Sequence, residues 1–105
     1  MENSDRTLVI FRRGKRNPKS VIAIFPLEIG NDSPALCSSY EHDGQHGACD
    51  PGIIEDTIAA KIQETDVIEL YHELLSIGYR LKIGKRIPDN AIEIRRGKLR
   101  EIEGN

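Results

Sequence analysis

The strongest constraint on the fold of this chain is a single stripe of side chains: Val67, Leu70, Tyr71, Leu74 and Leu75 recur at spacings of three and four between residues 65 and 77. That period sets five apolar groups on one side of an α-helix, and such a helix must lie against a second layer. Thr65 stands where an N-cap is wanted. Asp66 and Glu69 fall in the first turn, where the positive end of the helix dipole favours acids, and Gly78 is placed to supply the left-handed residue that closes a helix.

The second layer reads as β-structure. Residues 7–12 and 20–25 are rich in Val, Ile and Phe, and the seven residues between them include Gly14 and Asn17-Pro18, so the pair reads as a β-hairpin with a basic tip. Val9 and Phe11 alternate with the equally apolar Leu8 and Ile10, which predicts strands covered on both sides. Pro26 lacks the N–H that a ladder needs and is expected to end the second strand. Residues 30–34 read as a loop and 35–41 as a third strand. Asp50-Pro51 has the chemistry of a helix start, with a short helical turn expected through Asp56. After the amphipathic helix, Tyr79, Leu81 and Ile83 alternate with Arg80 and Lys82. Ile92 and Ile94 alternate with Glu93 and Arg95, and both runs read as strands. The expected fold is α+β: one mainly antiparallel sheet, in the order β-β-β-α-β-β, with one amphipathic helix packed on a face. A length of 105 residues fits a single domain, 1–105, with 1–6 and 101–105 frayed.

Charge is distributed by position. Residues 12–19 hold five bases and no acid, residues 79–100 hold eight bases against Asp89 and Glu93, and residues 20–78 hold eleven acids against Lys61 alone. Two arrangements follow. Either the blocks stay apart and present a positive patch to phosphates, or they meet and neutralise one another. The first would make the basic segments 12–19 and 79–100 a nucleic-acid-binding surface, although Phe and Tyr for stacking on bases number only five. No apolar run approaches the roughly 18 residues of a membrane span, and the first residues are polar with mixed charge, so the expected location is cytoplasmic, without membrane contact. In that setting Cys37 and Cys49 are expected to be free thiols.

Reactive side chains gather in one place. Both cysteines and two of the three histidines fall within residues 37–50. Three uses of that segment can be argued. Cys37, His42, His46 and Cys49 form a donor set suited to tetrahedral zinc, and His42, His46 and Asp50 form a looser one. Alternatively, Cys49, or Ser38 or Ser39, acts as a nucleophile beside His46, with Asp43 or Asp50 orienting the imidazole, which would make a small Cys/His-dependent or metal-assisted enzyme. In the third reading the segment is a glycine-punctuated contact surface for a small ligand or a protein partner. Tyr40, His42, Gln45, His46 and Asp50 then bind, Cys37 is a small core residue, and no cofactor is needed. The third is the favoured expectation: a small cytosolic binding or regulatory domain. His72 falls on the polar side of the helix and reads as a solvated residue.

Ser39-Tyr40-Glu41-His42-Asp43-Gly44-Gln45-His46-Gly47, followed by Asp50, resembles the Ser-Tyr-x-His-x-Gly-Gln-His-Gly-x-x-Asp pattern of a family of small bacterial and phage-associated proteins of uncharacterised activity. The similarity extends to Leu75-Ser76-Ile77-Gly78-Tyr79-Arg80-Leu81 and so covers roughly residues 7–87. The resemblance implies one domain and directs attention to His42, Gln45 and His46. Relatives with this pattern often carry Ala in place of Cys49.

Overall fold

The computed structural model describes residues 6–16, 20–31, 33–41 and 44–103, with Gln45 described by its backbone alone. The chain runs through β1 (Thr7–Gly14), β2 (Val21–Ile29), β3 (Cys37–Glu41), β4 (Gln45–Cys49), a 3-10 helix (Pro51–Asp56), β5 (Thr57–Ala59), α1 (Thr65–Ser76), β6 (Leu81–Ile83) and α2 (Ala91–Glu103). The strands form one sheet in the order β4-β3-β2-β1-β5, and β6 also pairs with β1. All pairings are antiparallel except β1 with β6. The expected α+β class holds. The element order does not, because the third strand is followed by a fourth, a 3-10 helix and a fifth, and the last element is a helix.

The two apolar faces of β1 explain the architecture. Val9 and Phe11 join Ala23 and Phe25 in the core that α1 covers with Val67, Leu70 and Leu74. On the opposite face Ile10, Ile24 and Cys37 are fully buried, and α2 packs against β2 there through Ala91 and Arg95. A sheet apolar on both sides needs two covers, and the second cover is the segment expected to be a strand and a charged tail. Over residues 91–95 a two-residue and a four-residue period are hard to tell apart. The helix emerges only when Ala91, Ile94, Arg95 and Lys98 are taken together, and the charged Arg95 and Lys98 hide the stripe. Gly97 weakens the helix by about 1 kcal/mol relative to Ala, so packing rather than propensity decides its state.

α1 matches its sequence signals closely at its C-terminus. Tyr79 N–H bonds the Leu74 carbonyl and Gly78 N–H the Leu75 carbonyl, both at 3.1 Å, with Gly78 at φ 110°. This is the paired Schellman closure for which glycine is suited. At the other end the cap position is Glu64 rather than Thr65, and no side chain caps it. Instead Arg13 ties this end to the sheet: its guanidinium donates to both oxygens of Asp66, at 2.7 and 2.8 Å, and to Glu64 at 2.5 Å. The hydrogen bonds from Arg13 hold the Asp66 carboxyl below the usual carboxylate range. A depressed carboxylate pKa means that the folded state binds fewer protons than the unfolded state, so the stabilisation is present above the ordinary carboxylate pKa and is lost as pH falls through the folded value. Asp66 is 39% exposed, so screening keeps the pair to about 1 kcal/mol or less. Urea melts of wild type and Asp66→Asn should therefore differ at pH 7 and converge as the pH is lowered below 4 (roughly the model-peptide value). A difference unchanged with pH would refute this assignment.

β2 does not stop at Pro26. The strand continues to Ile29 across a register shift between Phe25 and Ile29, where β3 pairing passes from Ser38 to Cys37. A bulge is where a residue without an N–H fits inside a strand. Gly30 follows it because the chain there runs hard against the β3–β4 hairpin: a Cβ at this position would lie 2.4 Å from the Cys37 carbonyl and 2.7 Å from Ala48 Cβ.

The charge blocks meet in part, through Arg13 with Glu64 and Asp66 and through Lys98 with Glu28, while Arg12 and Lys15 are held by uncharged acceptors. Arg12 bonds the carbonyls of Ile54 and Thr57 at 2.9 and 2.6 Å and Thr57 Oγ1 at 3.0 Å, Lys15 bonds the Glu55 carbonyl at 2.6 Å, and Lys98 pairs with Glu28 at 2.8 Å. Asn17, Pro18 and Lys19, at the basic tip, lie outside the described residues, as do residues 1–5 and 104–105 of the expected frayed ends. The segment 96–103 is helical. A Cα radius of gyration of 13.5 Å is that of one compact domain of this length. No described helix is long and apolar enough to cross a membrane.

Candidate functional site

The expected third strand is present as β3, and the residues after it return along it as β4, so the Cys/His segment is a second β-hairpin. β3 and β4 pair in register, with Cys37 opposite Cys49, Ser39 opposite Gly47, Tyr40 opposite His46 and Glu41 opposite Gln45. Gly44 takes φ 90° at the turn, a conformation costly for other residues. Because successive strand residues point to opposite faces, the hairpin sorts the clustered side chains into two sets. Cys37 and Cys49 face the α2 side, and Tyr40 and His46 face the α1 side.

On the α1 side the side chains form a connected group. Tyr40 is 3% exposed, and its hydroxyl donates to Glu73 Oε2 at 2.5 Å. His46 is exposed, and its Nε2 lies 2.8 Å from the Tyr79 hydroxyl. The imidazole meets the Tyr40 ring edge-on, with centroids 4.7 Å apart, and Tyr79 stacks flat on the buried Phe25 at 4.9 Å. Burial, with the charge of Glu28 adding to it, raises the Tyr79 hydroxyl above its ordinary pKa, so it stays protonated. An exposed imidazole is thus held from beneath by two tyrosines, one fixed by α1 and the other by the turn that ends it.

Glu73 and Tyr79 lie outside the Cys/His segment to which the sequence directs attention. The signal for Tyr79 was present, since Gly78 closes α1 and directs the next residue back onto the sheet. Glu73 carries no such signal, because a helix acid reads as solvated until a partner is seen. Asp50 does not join the group: its carboxylate accepts from Gly52 N–H at 2.8 Å and caps the 3-10 helix, whose start at Asp50-Pro51 matches expectation. His42 and Asp43 lie outside the described residues, as does the Gln45 side chain. His72 is exposed on α1 with its ring edge against Tyr71, as expected for a solvated helix residue.

The four-ligand zinc arrangement is not assembled by its three described members, because the sheet separates Cys37 and Cys49 from His46. Among the described residues no three Cys, His, Asp or Glu side chains are grouped to hold a metal ion. The same alternation parts Cys49 from His46, so a thiol–imidazole dyad between them is not formed. Ser39 lies on the cysteine side and Ser38 on the histidine side, shared with Tyr40.

A mostly apolar cleft lies elsewhere. It measures about 440 Å³ and opens at the far edge of β1, between β5 and β6, lined by Phe11, Ala60, Ile62, Ile83 and Gly84 with Lys61 and Lys85. Comparison of the chain with protein-family models, with curated proteins and with solved structures finds no match.

Proposed function

We propose that this protein is a small binding or regulatory domain that recognises its partner through the α1-facing side of the β3–β4 hairpin, with His46 as the outward contact and Tyr40, Glu73 and Tyr79 as its support. The observation carrying this reading is the pair of hydrogen bonds, Tyr40 to Glu73 and Tyr79 with His46, that fix an exposed imidazole over a buried aromatic base. An exposed ring with one edge already engaged is preorganised, so little side-chain entropy is lost on contact.

Charge selects the partner's chemistry. Hairpin and helix both come from the segment of eleven acids and one base, and within it Glu28, Glu64 and Asp66 are matched by Lys98 and Arg13. Asp50, Glu55 and Asp56, which follow the hairpin in that segment, are exposed, so a basic peptide segment is the favoured ligand. Nucleic-acid binding is less favoured, since Arg12, Arg13, Lys15, Arg95 and Lys98 of the basic segments are engaged within the fold.

The test is a titration of ¹⁵N-labelled protein with a pool of Lys/Arg-rich octapeptides and, separately, with an Asp/Glu-rich pool. Shifts should centre on His46, Ala48 and Tyr79 with the basic pool alone. His46→Ala should weaken them about fivefold, the worth of one hydrogen bond near 1 kcal/mol. Tyr79→Phe, which keeps the stack on Phe25, should retain the fold and weaken binding less. Shifts confined to the cleft between β5 and β6, or none with either pool, would rule the hairpin out.

A further inference from the structure

The other side of the hairpin carries a second arrangement. Cys37 and Cys49 are directly opposed cross-strand partners, and their sulfurs are 3.6 Å apart. Directly opposed residues of an antiparallel pair have Cα separations within the range a disulfide accepts and Cβ atoms at or just beyond its upper limit, so a bond of about 2.05 Å needs about 1.5 Å of approach by the sulfurs, through side-chain rotation and a small closing of the strands. The two thiols differ in access. Cys37 is 0% exposed, whereas Cys49, at the end of the edge strand and next to the exposed Asp50, is half-buried. Arg95 is itself 3% exposed, and its guanidinium is held by the carbonyls of Pro26 and Pro34 and exerts its positive charge on both thiols.

We propose that Cys37 and Cys49 form a reactive dithiol that is oxidised by low-molecular-weight disulfides of the glutathione type to a reversible cross-strand disulfide, with Cys49 as the attacking thiol and Cys37 as the resolving one.

The step balances in two exchanges. Cys49, as thiolate, attacks one sulfur of the small disulfide, whose S–S bond breaks. The first small thiolate leaves and takes up the proton that Cys49 lost. Cys37 then loses its proton and attacks Cys49 Sγ, expelling the second small thiolate, which is protonated in turn. The protein gives up two electrons and two protons, and one small disulfide becomes two thiols. The division of roles follows from the surroundings. The hydrogen bond from Cys37 lowers the Cys49 thiol below its ordinary pKa, with Ser39 and Arg95 adding to the effect, while that same bond and burial push the Cys37 thiol up. The attacking sulfur is thus the accessible one, and the buried sulfur waits within reach of the mixed disulfide.

The bond would join β3 to β4 at the end of the hairpin away from its turn, on the face opposite Tyr40 and His46. It closes residues 37–49 into a loop and holds the register on which those two side chains depend.

The experiment treats the folded, reduced protein with glutathione disulfide and reads the intact mass. Wild type should become lighter by two hydrogen atoms and retain no glutathione. Under denaturing, non-reducing conditions, cleavage after Glu41, the one glutamate between the cysteines, should leave the two halves linked until a reductant is added. Cys37→Ser should stop at one retained glutathione on Cys49, and Cys49→Ser should remain unmodified while folded. Wild type that retains one or two glutathiones, that links only between chains, or that stays unreacted would overturn the proposal. The wild-type arm decides the matter even where a serine variant folds poorly.

Discussion

Replacing Arg95 by methionine should lower the free energy of unfolding by about 3 kcal/mol, read from urea melts, although the substitution exchanges a buried charge for an apolar side chain of similar length. That direction is not automatic, because a buried ion exchanged for a hydrophobic group is often neutral or stabilising. Here the acceptors decide. Arg95 donates through Nη1 to the Pro26 carbonyl at 2.6 Å and through Nε to the Pro34 carbonyl at 2.8 Å. Pro26 lies in the register shift of β2, where the ladder is interrupted, so its carbonyl has no strand partner waiting to replace the guanidinium. Hydrogen bonds from a charged donor contribute about 1.5–3 kcal/mol each, and an abandoned buried acceptor costs about 1–3 kcal/mol. Methionine fills the space and so separates this loss from that of a cavity. Arg95→Lys should recover less than half of it, since a single ammonium cannot reproduce the fork that spans two carbonyls. A loss below 1 kcal/mol for Arg95→Met would show that water or a shifted chain satisfies both oxygens.

Phe25→Ala should cost more, about 4 kcal/mol, within the range for removing a large aromatic ring from a packed core. Phe25 is 0% exposed in the core between β2 and α1, and the ring lies parallel to Tyr79 within 4° at 4.9 Å. Its loss acts on the candidate site as well as on stability. Without that base Tyr79 has no reason to keep its hydroxyl 2.8 Å from His46 Nε2, so the imidazole NMR signals of His46 should move toward those of Tyr79→Phe. Phe25→Leu keeps much of the volume and should cost about 1.5 kcal/mol or less. If Phe25→Ala left the His46 signals where they are in wild type, the support assigned to Tyr79 would be wrong.

How far the fold could be read in advance depended on whether the signals were local. α1 was legible because period, acidic first turn and closing glycine all agreed, and the β1–β2 hairpin because its turn residues stood between two β-rich runs. The apolar residues on both faces of β1 already require cover on two sides, but the second cover has no local signal in the sequence. The α2 stripe that meets the sheet contains Arg95 and Lys98, whose partners, Pro26 and Pro34 for one and Glu28 for the other, lie more than sixty residues away. β6 falls inside the alternating run 79–83 that reads as a strand, whereas β5, at three residues, is too short to carry a period and exists because β1 offers an edge.

The same holds for the site. Residues 37–50 could be identified as the place where chemistry gathers, but not as two sets divided by a sheet, because that division needs β4 to be a strand. Gln45-His46-Gly47-Ala48 has weak β-propensity, and pairing with β3 imposes the alternation. Once it is imposed, Cys49 and His46, three residues apart, must part company.

The way β1 is finished on its outer side bears on self-association. Two three-residue strands of opposite sense, β6 beside Thr7–Val9 and β5 beside Arg12–Gly14, divide that margin between them, and neither leaves a straight run of backbone long enough to template an incoming chain. Among the described residues the open margin is then that of β4. Strand-to-strand addition between molecules has one end at which to occur, so it terminates at a symmetric pair rather than propagating as a fibre.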